Sequence, residues 1–245
     1  MTKRLNSYCD IFANKKSILF VTAHPDDVDV FFGGLIAKLA DDDKEVAVVA
    51  VTLGAKGSKD KEISEELLAK KRSTEQTNSL NALGLSKESF SSLHYVDGMV
   101  ENDMKLIGDI AKVIRRNKPD IVCTHEPNGY YYSLDDMGGH YVNHRDHRNV
   151  GSSVLDAVYP FSRDRSFFPE HYEDDIEPFS VFELLFTGDF RVNTEIDYTD
   201  LLENKRKALT SHESQFSADV VEEILASDKA EDKYVEKFNH LKLLW

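Results

Sequence analysis

Short apolar runs alternate along the chain with longer stretches of helical periodicity. Residues 17–23 (SILFVTA) and 45–52 (EVAVVAVT) are continuous, apolar and rich in β-branched side chains, the pattern of strands buried on both faces. Residues 33–40 between them read as helix. Residues 63–83 carry helix formers with apolar positions at Leu67, Leu68, Leu80 and Leu83, and Gly84 is a C-terminal stop. A short strand is expected at 94–97, a helix at 104–116 ended by Pro119, a strand at 121–124 and a helix at 145–159. Residues 181–187 and 195–198 look like later strands, and 200–226 reads as one long helical segment.

Strands that alternate with helices predict an α/β fold, here a Rossmann-like three-layer sandwich with a mostly parallel sheet. No internal repeat or low-complexity segment interrupts it, and the whole of 1–245 is expected to form one domain. One long loop is expected at 125–143, and 160–180, with Pro160, Pro169 and Pro178, is irregular. Ligands of such sheets bind at the carboxyl ends of the strands. The residues that follow each strand therefore matter most.

Composition narrows the class. The 245 residues carry a net charge of −14, which disfavours nucleic acid and anionic membrane surfaces as partners. No apolar run approaches the ~18–20 residues needed to span a bilayer. The N-terminal residues lack the apolar core and cleavage site of a secretory signal. The two cysteines, Cys9 and Cys123, are read as reduced thiols, and a cytoplasmic protein is expected.

The first strand ends in His24-Pro25-Asp26-Asp27. Imidazole with carboxylate suits zinc, and a catalytic site needs three protein ligands and an open position. His24 and Asp27 are three apart and face one point if a helix starts here, with Asp26 left to act on a bound water. A turn is the plain structural alternative. After the fourth strand comes Asn143-His144-Arg145-Asp146-His147, where two imidazoles are again three apart. One of them is available as third ligand and the other lies nearby. Together the clusters hold the inventory that metal-assisted hydrolysis requires.

The stretch Ala23-His24-Pro25-Asp26-Asp27-Val28-Asp29-Val30-Phe31-Phe32-Gly33-Gly34, combined with His144-Arg145-Asp146-His147, resembles the LmbE-like (PIG-L-like) zinc deacetylases. Weaker similarity runs through Thr52-Leu53-Gly54, Arg72 to Glu75, Asp97 and His212 to Gln215. The resemblance implies that His24, Asp27 and His147 hold zinc, that Asp26 is the general base, and that His144 stabilises the oxyanion with Asp146 orienting it. Arg72 and Asp97 match positions that contact the sugar in relatives. The implied reaction removes an N-acetyl group from a small sugar-containing amide such as an N-acetylglucosamine conjugate. Iron(II) or another divalent ion is the alternative metal, since ligand type constrains identity only loosely. A homo-oligomer is compatible with the sequence.

The chain also departs from those relatives. Many have Glu where Val28 stands, and a short Gly-rich approach to the second motif where this chain has an insertion from Tyr130 to Gly139. These changes bear on the substrate. The rival readings are an amidohydrolase for a non-sugar amide, a metal- or sugar-binding protein without turnover, and a nucleotide- or nucleic-acid-binding domain. The last lacks a G-x-G-x-x-G fingerprint at Gly33-Gly34. Lys56 is read as part of a loop beside the site or as a substrate contact. Arg72 and Glu75 have a surface ion pair as their plain reading. His125 lines the pocket or is structural, and His212 is read as structural.

Overall fold

The structure, a computed structural model, describes residues 5–58, 60–134, 139–174, 176–188 and 191–244. Its strands are β1 (Ser17–Thr22), β2 (Glu45–Thr52), β3 (Phe90–Tyr95), β4 (Ile121–Thr124), β5 (Tyr131–Leu134), β6 (Gly139–Val142), β7 (Glu183–Thr187), β8 (Thr194–Asp197), β9 (Lys229–Ala230) and β10 (Lys233–Lys242). Its α-helices are α1 (Tyr8–Phe12), α2 (Asp27–Asp41), α3 (Glu65–Ala82), α4 (Met104–Asn117), α5 (Arg145–Asp156), α6 (Leu202–Thr210) and α7 (Ala218–Ser227). The main sheet runs β3-β2-β1-β4-β7-β10-β8, with β9 beside β10. The neighbours β3, β2, β1, β4 and β7 are parallel, and β10 is antiparallel to both β7 and β8. This is the expected α/β sandwich with a mostly parallel sheet.

The period of two in the central strands sends alternate side chains to opposite cores. In β1, Ile18 and Phe20 join one cluster while Leu19 and Val21 join the other. In β4, Ile121 and Cys123 go one way and Val122 the other. The first cluster is closed by α2 and α6, through residues such as Leu35, Ile36 and Ala208. The second is closed by α4 and α5, through Ile110, Ile114, Val150 and Val154. Each fully buried Leu, Ile or Phe contributes roughly 1.5–3 kcal/mol, so the doubly covered strands are the most firmly held part of the molecule.

Several sequence expectations need correction. Helix α2 begins at Asp27, well before residue 33, because nothing in the first turn breaks it. Strand β3 lies earlier than 94–97, at Phe90–Tyr95. The stretch expected as one loop at 125–143 contains the hairpin β5–β6, with Tyr131 paired to Val142 and Tyr132 to Tyr141; its residues 135–138 lie outside the described residues. The helical segment expected at 200–226 is two helices, with a turn over 211–217 and a fresh N-cap at Ser217, whose hydroxyl accepts the N–H of Val220. The sequence pattern predicts no strand after residue 198, yet β10 is central to the second half of the sheet. Cys9 and Cys123 are both free, as expected. Among the described residues no helix is long and apolar enough to cross a membrane.

Strand β1 is flanked by β2 on one side and β4 on the other. The chain thus leaves β1 in one direction and returns in the other, which opens a crevice between the carboxyl ends of β1 and β4. His24 follows β1 and His125 follows β4 at that crevice. Helix α5 comes in closely enough to reach it because Gly151 has no side chain. A Cβ there would lie 2.3 Å from the carbonyl oxygen of His125.

Candidate active site

The two sequence motifs, some 120 positions apart, meet in a cavity of about 520 Å³. His24, Asp26 and Asp27 line it from the β1–α2 junction, and His144 and His147 from the start of α5. Arg72 from α3 and Asp97 from the loop after β3 complete the polar part. Val30, Phe31, Phe216 and Ile224 supply an apolar wall, joined by Tyr141 of β6.

Asp27 connects the motifs. Its Oδ2 is 3.3 Å from Nδ1 of His24 and its Oδ1 is 3.0 Å from Nε2 of His147. The backbone N–H of His24 also donates to Oδ2, at 2.7 Å. On the far side of the His24 ring, Nε2 faces two carboxylates, Asp97 at 3.2 Å and Asp146 at 3.4 Å. Burial works against a charge on His24, but Asp27, Asp146 and Asp97 outweigh it and raise its pKa well above 6.5. Burial likewise opposes the charge of Asp27, yet His147 and His24 hold its carboxyl well below the usual range.

The rings of His24, His144 and His147 form a near-equilateral triangle, with centroids 5.0, 5.3 and 5.4 Å apart. His144 is the exposed member and serves as N-cap of α5, its Nδ1 accepting the backbone N–H of Asp146 at 3.2 Å. That contact leaves Nε2 as the protonated nitrogen of the neutral ring. Burial and the neighbouring His24 and His147 lower its pKa, so the neutral ring prevails near pH 7. The Asp146 carboxylate turns from His144 to His24, and accepts the Gly98 N–H at 2.7 Å.

Asp26 has φ 91 and ψ −34, a conformation that costs a non-glycine residue about 1–3 kcal/mol. Its carboxylate is 3.0 Å from Nη2 of Arg72. Burial raises the Asp26 pKa, Arg72 opposes, Asp27 adds to the rise, and the balance lies at about 6. Arg72 is 4% exposed and also bonds the carbonyls of Gly54 and Pro25, at 2.9 and 2.6 Å. Gly54 is required for this approach, since its φ is +61 and a Cβ would lie 2.1 Å from Nη1. Glu75 does not make a surface pair with Arg72. It is buried and accepts the N–H and hydroxyl of Ser214 at 2.9 and 2.6 Å.

Two further residues enter the site. His125 stacks on His147 with centroids 4.2 Å apart and planes 3° apart. Its Nε2 accepts the Ala23 N–H at 3.1 Å, and burial pushes its pKa down to about 4, so the ring is neutral. Its place after β4 was the sequence signal. Gln76 was missed, as nothing in its spacing marks it: its Oε1 accepts the backbone N–H of Asp26 at 2.9 Å. Lys56 presents its backbone, donating its N–H to Asp97 Oδ2 at 2.7 Å.

Histidine and carboxylate atoms close enough to share a cation occur as His24–His144–His147, Asp27–His125–His147 and His24–Asp97–Asp146 among the described residues. Such a density of imidazole and carboxylate donors, with Nδ1 of His147 buried and unpartnered among the described residues, fits a divalent metal.

Comparison with known proteins agrees with this chemistry. Residues 19–158 match the PIG-L family, GlcNAc-PI de-N-acetylase. Diacetylchitobiose deacetylase of Thermococcus kodakarensis is 31% identical over 211 residues, spanning 86% of this chain and 74% of that protein. The 1D-myo-inositol 2-acetamido-2-deoxy-alpha-D-glucopyranoside deacetylase of Rhodococcus erythropolis is 27% identical, over 83% of this chain and 82% of that one. The solved structure of N,N'-diacetylchitobiose deacetylase from Pyrococcus horikoshii, complexed with an inhibitor, superposes with a TM-score of 0.83 at 29% identity, over 94% of this chain and 85% of that one.

Proposed function

The chain belongs to the PIG-L family, and on that premise we propose that it is a metal-dependent N-deacetylase acting on a small N-acetylglucosamine-containing sugar. The observation that carries the reading is Asp27, which touches the histidine of the first motif and the second histidine of the other at 3.3 and 3.0 Å. The deacetylases among its relatives support the choice of reaction and substrate class.

His24, Asp27 and His147 are the proposed metal-holding set, a reading supported by the contacts of Asp27 with both imidazoles. Nε2 of His24 is engaged by Asp97 and Asp146, and its Nδ1 faces Asp27 Oδ2 at 3.3 Å, on the side where the ion would sit. Nε2 of His125 is occupied by the Ala23 N–H. His144 presents an N–H in place of a lone pair. Zinc is the metal that suits two imidazoles and one carboxylate, with iron(II) the alternative. A divalent ion in that place supplies Lewis-acid polarisation and a water of lowered pKa.

The rest of the reaction falls to this chain's own groups. Asp26, ionised above its pKa of about 6, takes the proton of the attacking water as the new C–O bond forms at the amide carbonyl. His144 donates its Nε2–H to the developing oxyanion. When the C–N bond breaks, Asp26 delivers its proton to the leaving nitrogen, and acetate and a free amine remain. Arg72 keeps the Asp26 carboxylate in place throughout. The apolar wall of Val30, Phe31, Phe216 and Ile224 suits the acetyl methyl and the apolar face of a sugar ring.

The test is acetate release from N,N'-diacetylchitobiose, measured after stripping with a chelator and again after adding back zinc or iron(II). Release that is lost on stripping and restored by metal is expected. Release indifferent to the chelator would overturn the metal-dependent reading.

A further inference from the structure

The peptide unit that joins Pro25 to Asp26 is gripped at both ends by one face of α3. Its carbonyl accepts from Nη2 of Arg72 at 2.6 Å, and its N–H donates to Oε1 of Gln76 at 2.9 Å. Arg72 and Gln76 are four residues apart and stand on successive turns of the same helix face. The grip falls where the backbone needs it. With φ 91, Asp26 occupies a region that a residue with a side chain keeps only when its surroundings hold it there. Rotation of that peptide plane would swing the Cα–Cβ bond of Asp26, and with it the carboxylate, out of the cavity.

Gln76 is itself held. Its amide nitrogen donates to Oδ2 of Asp29 at 2.8 Å. Asp29 also meets Nε2 of His212 at 2.8 Å and accepts the hydroxyl of Ser79. Gln76 is 1% exposed, and Asp29, Ser79 and His212 are wholly buried. An ionised Asp29 can only accept, so it fixes which end of the Gln76 amide faces it and leaves Oε1 for the Asp26 N–H. The chain of contacts runs from the end of α6, through the first turn of α2, to the strained residue.

We propose that Gln76 and Arg72 are positioning residues which lock the Pro25–Asp26 peptide and so aim the Asp26 carboxylate at the reacting water. The inference rests on the reading of Asp26 as the general base.

The experiment compares Gln76→Met, which keeps length and packing but removes both polar atoms, with Arg72→Lys, which keeps the charge but not the multiple contacts. Steady-state kinetics on N,N'-diacetylchitobiose, zinc content and the thermal midpoint are measured for each, and Gln76→Met is repeated in an Asp26→Asn background. A misaimed base should lower kcat by about 10- to 100-fold with KM within about twofold of wild type and zinc content unchanged. In the Asp26→Asn background the further loss should be less than about twofold, because both changes act through one carboxylate. A merely structural role would repeat the full loss there and would overturn the proposal. So would a raised KM with unchanged kcat, the signature of a substrate contact. If Gln76→Met does not fold, Arg72→Lys reports on the other end of the same peptide by the same split. Asp26→Asn at the wild-type rate would remove the base reading itself, whereas a slow Asp26→Asn with a fully active Gln76→Met would remove this inference alone.

Discussion

Asp97 stands 3.2 Å from Nε2 of His24 and takes the backbone N–H of Lys56 on its other oxygen at 2.7 Å. Burial opposes its charge, but the bonds from His24 and Lys56 hold its pKa at about 2. A carboxylate behind a histidine ligand fixes the ring and raises its basicity. Family likeness casts Asp97 as a sugar contact; on the proposed metal set, its contact with Nε2 of His24 would make it support for a metal-holding imidazole. Asp97→Asn should weaken zinc binding by about 10- to 100-fold, measured by competition with a chelator. Wild-type zinc affinity combined with a raised KM would return Asp97 to the substrate.

On the proposed reading Asp26 lies beside the metal-holding set without belonging to it. Asp26→Asn should retain one zinc per chain and lose about 10²- to 10⁴-fold in kcat, the range for a lost general base. Elemental analysis together with acetate release checks both halves. A variant that loses the ion would make Asp26 a ligand.

His144 presents a neutral N–H whose direction is set by the N-cap contact with Asp146. Replacing it with Ala should cost about 10²- to 10³-fold in kcat with metal retained, as for a lost oxyanion donor. His144→Gln restores an N–H donor and should recover part of that loss. Equal rates for the two variants would count against a donor role.

Much of this was legible in the sequence wherever local pattern and tertiary role coincide. The apolar run of β1 is buried on both faces, and the residues directly after it are the ones in the cavity. The partners of those residues were not legible. Asp146 sits two positions from His144, yet its carboxylate turns to His24, because the loop after β3 brings the Gly98 N–H to it. Strand β10 escaped notice because its alternation is broken by Glu236, Asn239 and His240, all buried. Glu236 is there to meet Lys205 at 2.7 Å and the N–H groups of Gly34 and Leu35, partners that no short window of sequence contains. The break between α6 and α7 has neither Pro nor Gly to announce it. It follows from His212 bonding Asp29 and Ser214 bonding Glu75.

A pH dependence of stability arises away from the cavity. Burial opposes the charge of Glu183, but Lys15 and His240, each at 2.7 Å, hold its pKa below 4.5. A carboxyl depressed in the folded state binds fewer protons there than when unfolded. Its contribution is therefore full above the unfolded pKa and is lost as the pH falls through the folded one. Glu183→Gln should lower the thermal midpoint at about pH 7 and make it fall less steeply below about pH 4.5. Parallel curves for the two proteins would show that this cluster does not contribute.

On the proposed reading, two motifs far apart in the chain hold one divalent ion through His24, Asp27 and His147. Its most direct test is the zinc content of wild type and His147→Ala, by elemental analysis after stripping, reloading and removal of free metal. One ion per wild-type chain is expected, and none retained by a variant that is still folded by circular dichroism. A wild-type chain that keeps no ion, or a His147→Ala variant that keeps a full one, would contradict it.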